Sequence, residues 1–222
     1  MLFLLELSSM PLMAEQLAID GLLGHIASAN ITSYLRRGNI SPFADSAGLQ
    51  RCYSIWVRGI LPLLLNLLDS VQGNIAGEVA IFLSQFPTLL SQASSAFDAP
   101  EMSRILSSSK HATKYITLST CSEVHSLALI TYILSGYRDG LGVNVVVDLK
   151  QWDAGQVQEN VDFWLGSRAL LRERILPMGD REVEMLRRKV TDPMGNGQMT
   201  VSELEARVVG EMMGTRDVLG GD

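Results

Sequence analysis

Apolar residues recur at spacings of three and four through most of the chain, and polar stretches rich in Gly, Pro, Asn and Ser separate the runs. That period belongs to helices with one face turned to a core. The strongest run extends from about Leu49 to Leu68, where Leu49, Cys52, Tyr53, Trp56, Ile60, Leu63, Leu64 and Leu67 share a face. Pro62 lies inside it and predicts a kink or the start of a new helix. Upstream, Ser9 and Pro11 mark a helix start, followed by Leu12, Ile19, Leu22, Leu23 and Ile26. A short helix is predicted over Ile31 to Arg36, and RRGNISPFADSAG reads as a loop.

Beyond the central run, Asn74 predicts a cap for a helix carrying Ile75, Val79, Phe82, Leu83 and Phe86, and Pro87 breaks the chain after it. Residues 98–116 read as an exposed Ser-rich connection, with a short helix over Glu101 to Leu106. Thr120 and Glu123 form a capping-box pattern ahead of a helix ending near Gly136. VNVVVDL has strand propensity without a partner strand, so it reads as an extended connection. Asp153 with Gln156 caps a long helix bearing Val157, Val161, Trp164 and Leu165. Helices over Asp180 to Val190 and Thr200 to Met213 follow, and residues 214–222 read as a flexible tail. The pattern gives about eight helices joined mostly by short links, hence antiparallel neighbours. Several are apolar around more than half their circumference, as stacked helices covered on two sides must be. Residues 1–222 therefore read as one stacked-helix segment, with a compact helical bundle as the alternative. The pattern opens in mid-run at Leu2, as expected of an excerpt from a longer array.

Composition narrows the function. The chain is 47% hydrophobic and only 19% charged, which excludes disorder. A net charge of −6 without a basic patch argues against nucleic acid as partner. Cys52 and Cys121 both sit inside apolar helical patterns and read as buried thiols of a reducing compartment. No Lys or Arg precedes Arg36, so the N-terminus lacks the basic region of a secretory signal. The longest later apolar run, Ile60 to Leu68, is too short to span a bilayer, and no transmembrane segment is expected.

One segment has the outline of a metal site. In DPMGNGQMTVSE, Asp192 takes the first position of a calcium-binding helix–loop–helix, Asn196 the fifth, Gly197 the turn, Thr200 the ninth and Glu203 the twelfth. Met194 stands at the third position, where a hard cation needs oxygen. Thr200 and Glu203 also match a capping box, so a turn followed by a capped helix is the favoured reading, with calcium binding as a minor alternative. His25, His111 and His125 have no ligand partners at metal spacing. Cys121 with His125 one turn later is a formal nucleophile pair, but an apolar helix raises a thiol's pKa. The interleaved Arg172, Arg174, Arg181, Arg187, Arg188 and Lys189 with Glu173, Glu182 and Glu184 read as a solvated face. Trp56, Trp164 and Phe82 read as core. No catalytic residues and no cofactor are expected, and the chain reads as a non-enzyme.

Four strings carry a family resemblance: LELSSMPLMAEQLAIDGLL, RCYSIWVRGILPLLLNLL, GEVAIFLSQFPTLLSQ and TLSTCSEVHSLALITYIL. In this order, over roughly residues 4 to 135, the chain resembles the C-terminal tail of a large scaffold (inner-ring) nucleoporin of the 188-kDa class. The strings are core-forming helices, so they point to no site. The resemblance implies a right-handed α-helical solenoid of HEAT/armadillo-like helix pairs in the inner ring of the nuclear pore complex, at the nuclear envelope. It implies binding of a helical segment of an adaptor nucleoporin and support of nucleocytoplasmic transport. Similarity in shape to transport receptors raises the alternative of a binding module for Phe-Gly repeats.

Overall fold

The structure, a computed structural model, describes residues 1–38, 40–98, 115–137, 149, 151–195 and 199–220. The predicted helix over Glu101 to Leu106 and most of VNVVVDL lie outside these residues. The described chain is all-α apart from one small two-stranded ribbon. It divides into two compact units, one of residues 1–93 and 126–152, the other of residues 94–125 and 153–222.

The first unit contains α1 (Leu2–Ser8), α2 (Pro11–Ile19), α3 (Leu22–Ser28), α4 (Asn30–Arg37), α5 (Ala47–Val71), α6 (Gly73–Ser84) and most of α7 (Pro87–Ser94). α5 is its spine, and α1, α2 and α6 pack on its C-terminal half. As expected, Pro62 stands in the first turn of a new α-helical stretch, Leu61–Val71, which stays joined to Ala47–Ile55 as one long helix. Its ring lacks an N–H and would crowd the carbonyl four residues back. The strain is taken up by a π turn over Trp56–Ile60, in which the Leu61 N–H reaches Trp56 O. The result is a helix of 25 residues, longer than the sequence pattern suggested and apolar enough to cross a bilayer by length and composition alone. Its buried face is the core of the unit, with Trp56, Ile60, Leu61, Leu63, Leu64 and Leu67 essentially inaccessible. Phe86 stacks edge-on against Trp56 at 5.3 Å and Phe82 at 5.1 Å between centroids. Asn66, the polar residue in this apolar stretch, donates to Ser8 Oγ at 2.9 Å and satisfies the end of α1.

Two backbone positions shape this unit. Gly38 has φ +68, and a Cβ there would lie 2.4 Å from Thr88 Cγ2, so only glycine lets the chain leave α4 beside α7. Gln72, at φ 56 and ψ −136, makes the sharp corner between α5 and α6. Because Gln72 occupies the cap position, α6 starts at Gly73, ahead of the Asn74 cap expected from sequence.

The second unit holds the start of α8 (Leu118–Tyr137), then α9 (Ala154–Gly166), α10 (Arg168–Arg174), α11 (Asp180–Arg187), β1 (Lys189–Thr191), β2 (Thr200–Ser202) and α12 (Glu203–Leu219). α9 and α12 form its main helix pair, and α11 packs on α12. The expected Asp153 cap is present, with Gln156 N–H donating to Asp153 Oδ1 at 2.9 Å. The other two caps are displaced. At α8 the reciprocal box is made by Thr117 and Thr120, each backbone N–H donating to the other's hydroxyl at 3.1 Å. At α12 the cap is Ser202, which accepts from Glu205 N–H at 3.1 Å, while Thr200 pairs in the ribbon with Thr191. Each expected box had a hydroxyl three residues before an acid, but in each case a neighbouring hydroxyl closes the turn.

Two further expectations are corrected. Ile116, placed in the exposed connection, is buried and bridges Ile175: its N–H donates to Arg174 O and its carbonyl accepts from Leu176 N–H, both at 2.9 Å. The flexible tail expected at 214–222 is helical through Leu219, because Met212 and Thr215 bury the same face that Val208 begins.

Candidate partner-binding site

The loop at Asp192 is built by ion pairs. Lys189–Thr191 pairs antiparallel with Thr200–Ser202, and Asp192 N–H donates to Met199 O, which closes the hairpin tightly. Asp192 Oδ1 accepts from Met194 N–H at 3.0 Å and from the Arg168 guanidinium at 3.2 Å. Glu203 accepts from Arg207 at 3.1 Å. Asn196 and Gly197 lie outside the described residues. The first and twelfth loop carboxylates are thus each engaged by a guanidinium. Among the described residues no group of three or more His, Cys, Asp or Glu side chains could hold a metal ion.

Arg168 belongs to a larger network. It also donates to Glu205 at 2.9 Å, and Arg172 grips the same carboxylate through Nε at 2.8 Å. Burial raises the Glu205 carboxyl, which is 2% exposed, but the hydrogen bonds and charges of the two guanidiniums outweigh it and hold it below the usual range. Arg172 is exposed, as expected of a solvated face, and is also half of a structural clamp. Glu182 is likewise buried and accepts from Met178 N–H at 2.8 Å.

A second acid–base pair was invisible in sequence. His125 Nδ1 lies 2.7 Å from Glu211 Oε2, and Ser122 donates to Glu211 Oε1 at 2.9 Å. Burial raises the Glu211 carboxyl, yet the His125 and Ser122 hydrogen bonds leave it lowered. Gly214 makes room for the imidazole, since a Cβ there would lie 2.8 Å from the ring. These partners are 86 and 89 residues apart, so no local spacing could announce them. Cys121 is buried near them in sequence, and burial pushes its thiol well up. His25 is exposed, and His111 lies outside the described residues.

Exposed large apolar side chains are most numerous in the first unit. Leu2 and Phe3 of α1 are largely exposed, and on α2 Leu12 and Ile19 are 77% and 78% exposed. A groove of about 660 Å³ runs between α2, the C-terminal end of α5 and the start of α6. Its apolar lining is Ala18, Ile19, Val71 and Ile75, and Glu15, Asn74 and Glu78 stand at its polar positions. Leu12, Glu15 and Ile19 recur at helical spacing along α2, as Asn74, Glu78 and exposed Ile81 do along α6.

Comparison with known proteins identifies what this fold belongs to. The family described as "Nuclear pore protein NUP188 C-terminal domain" matches residues 1–219. Nucleoporin NUP188 of Chaetomium thermophilum is 43% identical over 229 residues, covering 100% of this chain and 12% of that protein. Nucleoporin nup184 of Schizosaccharomyces pombe is 35% identical over 88 residues, 39% of this chain and 5% of that protein. The solved structure of Nup188(aa1445-1827) from Myceliophthora thermophila superposes with a TM-score of 0.83 at 47% identity, covering 97% of this chain and 58% of that one. The class is therefore an all-α, solenoid-type nucleoporin segment of the nuclear pore complex. Within that class, the chain belongs to the NUP188 C-terminal domain family. The likeness extends well past residue 135, where the four diagnostic strings end. The chain spans about an eighth of the length of the Chaetomium relative, by the 12% it covers.

Proposed function

We propose that this chain is a structural segment of the nuclear pore inner ring, and that its helix stack holds a helical segment of an adaptor nucleoporin. The observation that supports this reading is the groove of α2, α5 and α6, mixed in polarity, with Ile19 exposed in its lining and Leu12 exposed on the same helix. Isolated exposed aliphatic residues are ordinary, but an aliphatic row beside a groove fits the helix-in-groove mode of recognition. Magnitudes limit the affinity. Fully covering Leu12 and Ile19 contributes about 1.5–3 kcal/mol each, whereas a micromolar complex needs about 8 kcal/mol. The two anchors alone therefore hold a partner weakly, and a stable complex draws on further contacts along the helix.

The role is non-catalytic and consists of holding neighbours in place. The groove, with a carboxylate on each of two helices, supports a charged helix better than the alternative occupant, a Phe-Gly repeat. The test is co-elution of the 222-residue chain with a labelled adaptor-nucleoporin helix on a sizing column. Co-migration at tens of micromolar is expected. Separate elution at that concentration contradicts the reading.

A further inference from the structure

Building on the reading of this chain as a holder of partner helices, we propose that the α2/α5/α6 groove selects an amphipathic helix whose apolar edge is bordered by Lys or Arg on both sides. The groove's apolar lining is aliphatic, contributed by Ala18, Ile19, Val71 and Ile75. Each of two separate helices adds one carboxylate, Glu15 from α2 and Glu78 from α6. Both residues are exposed, and neither has a cationic partner among the described residues. No Lys or Arg occurs between Met1 and Ser28, nor between Gly59 and Ser94, so α2, α6 and the C-terminal half of α5 carry no positive charge. Asp20 and Asp69 follow the groove residues Ile19 and precede Ser70, and add the same sign.

The charge decides between occupants. A helix flanked by Asp or Glu would set like charges against Glu15 and Glu78, which weakens its docking and so discriminates against it. A wholly apolar helix would cover the two carboxylates without giving them a partner, and a desolvated charge without a partner is expensive. A Lys or Arg border resolves both problems. Its aliphatic stem lies along exposed Ile19 and Leu12 while its charged end reaches the carboxylate.

The experiment uses the whole chain and two fluorescein-labelled synthetic helices, one of Leu, Ala and Lys and the other with Glu in place of every Lys, read by fluorescence anisotropy. The Lys helix is expected to bind about tenfold or more tighter than the Glu helix, with the gap narrowing as salt rises. Glu15→Lys with Glu78→Lys is expected to reverse the preference. Asp162→Lys with Glu173→Lys, an equal charge change at exposed positions of the second unit, is expected to preserve it. Equal affinity for both helices, or a preference that survives the Glu15/Glu78 reversal, overturns the proposal. The scaffold reading is separable. If the adaptor-nucleoporin helix co-elutes equally with native and reversed chains, the groove assignment fails and the scaffold reading stands. If it co-elutes with neither while the Lys helix follows Glu15 and Glu78, the groove assignment stands and the adaptor reading fails.

Discussion

The two units solve the problem of stability with different chemistry. The first is held by aliphatic and aromatic packing around one long helix, with single hydrogen bonds such as Asn66 to Ser8 and Arg36 to Gln85 joining separate helices. The second has a smaller apolar centre and is cross-linked by side chains: Arg168 and Arg172 on Glu205, His125 on Glu211, and Trp164 Nε1 donating to Phe97 O at 2.7 Å. Exposed aliphatic surface concentrates on the unit without the ion network. A patch that must stay apolar for a partner is best supported by a core that needs no surface charge. The unit built on ion pairs has its directional bonds already committed to itself.

The comparison can be broken most forcefully in the first unit. Phe86→Ala removes the ring that joins Trp56 and Phe82, and should cost about 3–5 kcal/mol. Chemical denaturation followed by tryptophan fluorescence measures it, and a loss below 1 kcal/mol would mean the aromatic cluster is not the centre of that core. In the second unit Arg168→Met leaves Glu205 with Arg172 alone and frees Asp192, for an expected loss of about 1.5–3 kcal/mol. Hydrogen exchange across α9 and α12 should rise selectively, because local opening reads local stability. Ser202→Ala removes the cap of α12 and should cost about 1 kcal/mol, measured by the same denaturation curves.

The smallest expected effect is the sharpest in kind, because it depends on pH. Glu205 and Glu211 both have carboxyls held lower in the folded chain than in the unfolded one. The stability they contribute is therefore fully present above the ordinary carboxylate range and is lost as pH falls through their lowered folded values. Acid should loosen α12 before it loosens α5. His125→Gln should shrink the part of this slope that belongs to Glu211. A slope unchanged by that substitution would assign the acid sensitivity elsewhere.

The helices were legible in sequence wherever one face is buried by near neighbours. The run from Leu49 to Leu68, the Asp153 cap and the Pro87 break could all be read from spacing alone. What escaped depended on alternatives a few residues apart or on distant partners. Pro62 was legible as the start of a new α-helical stretch, but the π turn that keeps it joined to the stretch before was not. Thr117 and Ser202 won the caps from Thr120 and Thr200 because the neighbouring backbone was already committed, to the Ile116 bridge and to the ribbon. The Glu211 pair is built from residues nearly ninety positions apart, and the groove joins residues near 15 to residues near 75; neither leaves a local trace. The residue types of the loop at Asp192 suggested a turn before a capped helix or a calcium loop, and spacing gave no sign that Arg168 and Arg207 pair with its two carboxylates.

The central claim is that partners dock on the first unit, at the face shared by α2 and α6. Hydrogen exchange of the whole chain, with and without a saturating adaptor-nucleoporin helix, tests it most directly. The account expects slowed exchange over Pro11–Ile19 and the first turns of Gly73–Ser84, with the α9 and α12 peptides unchanged. Protection confined to α9 through α12, with α2 and α6 unaltered, would contradict it.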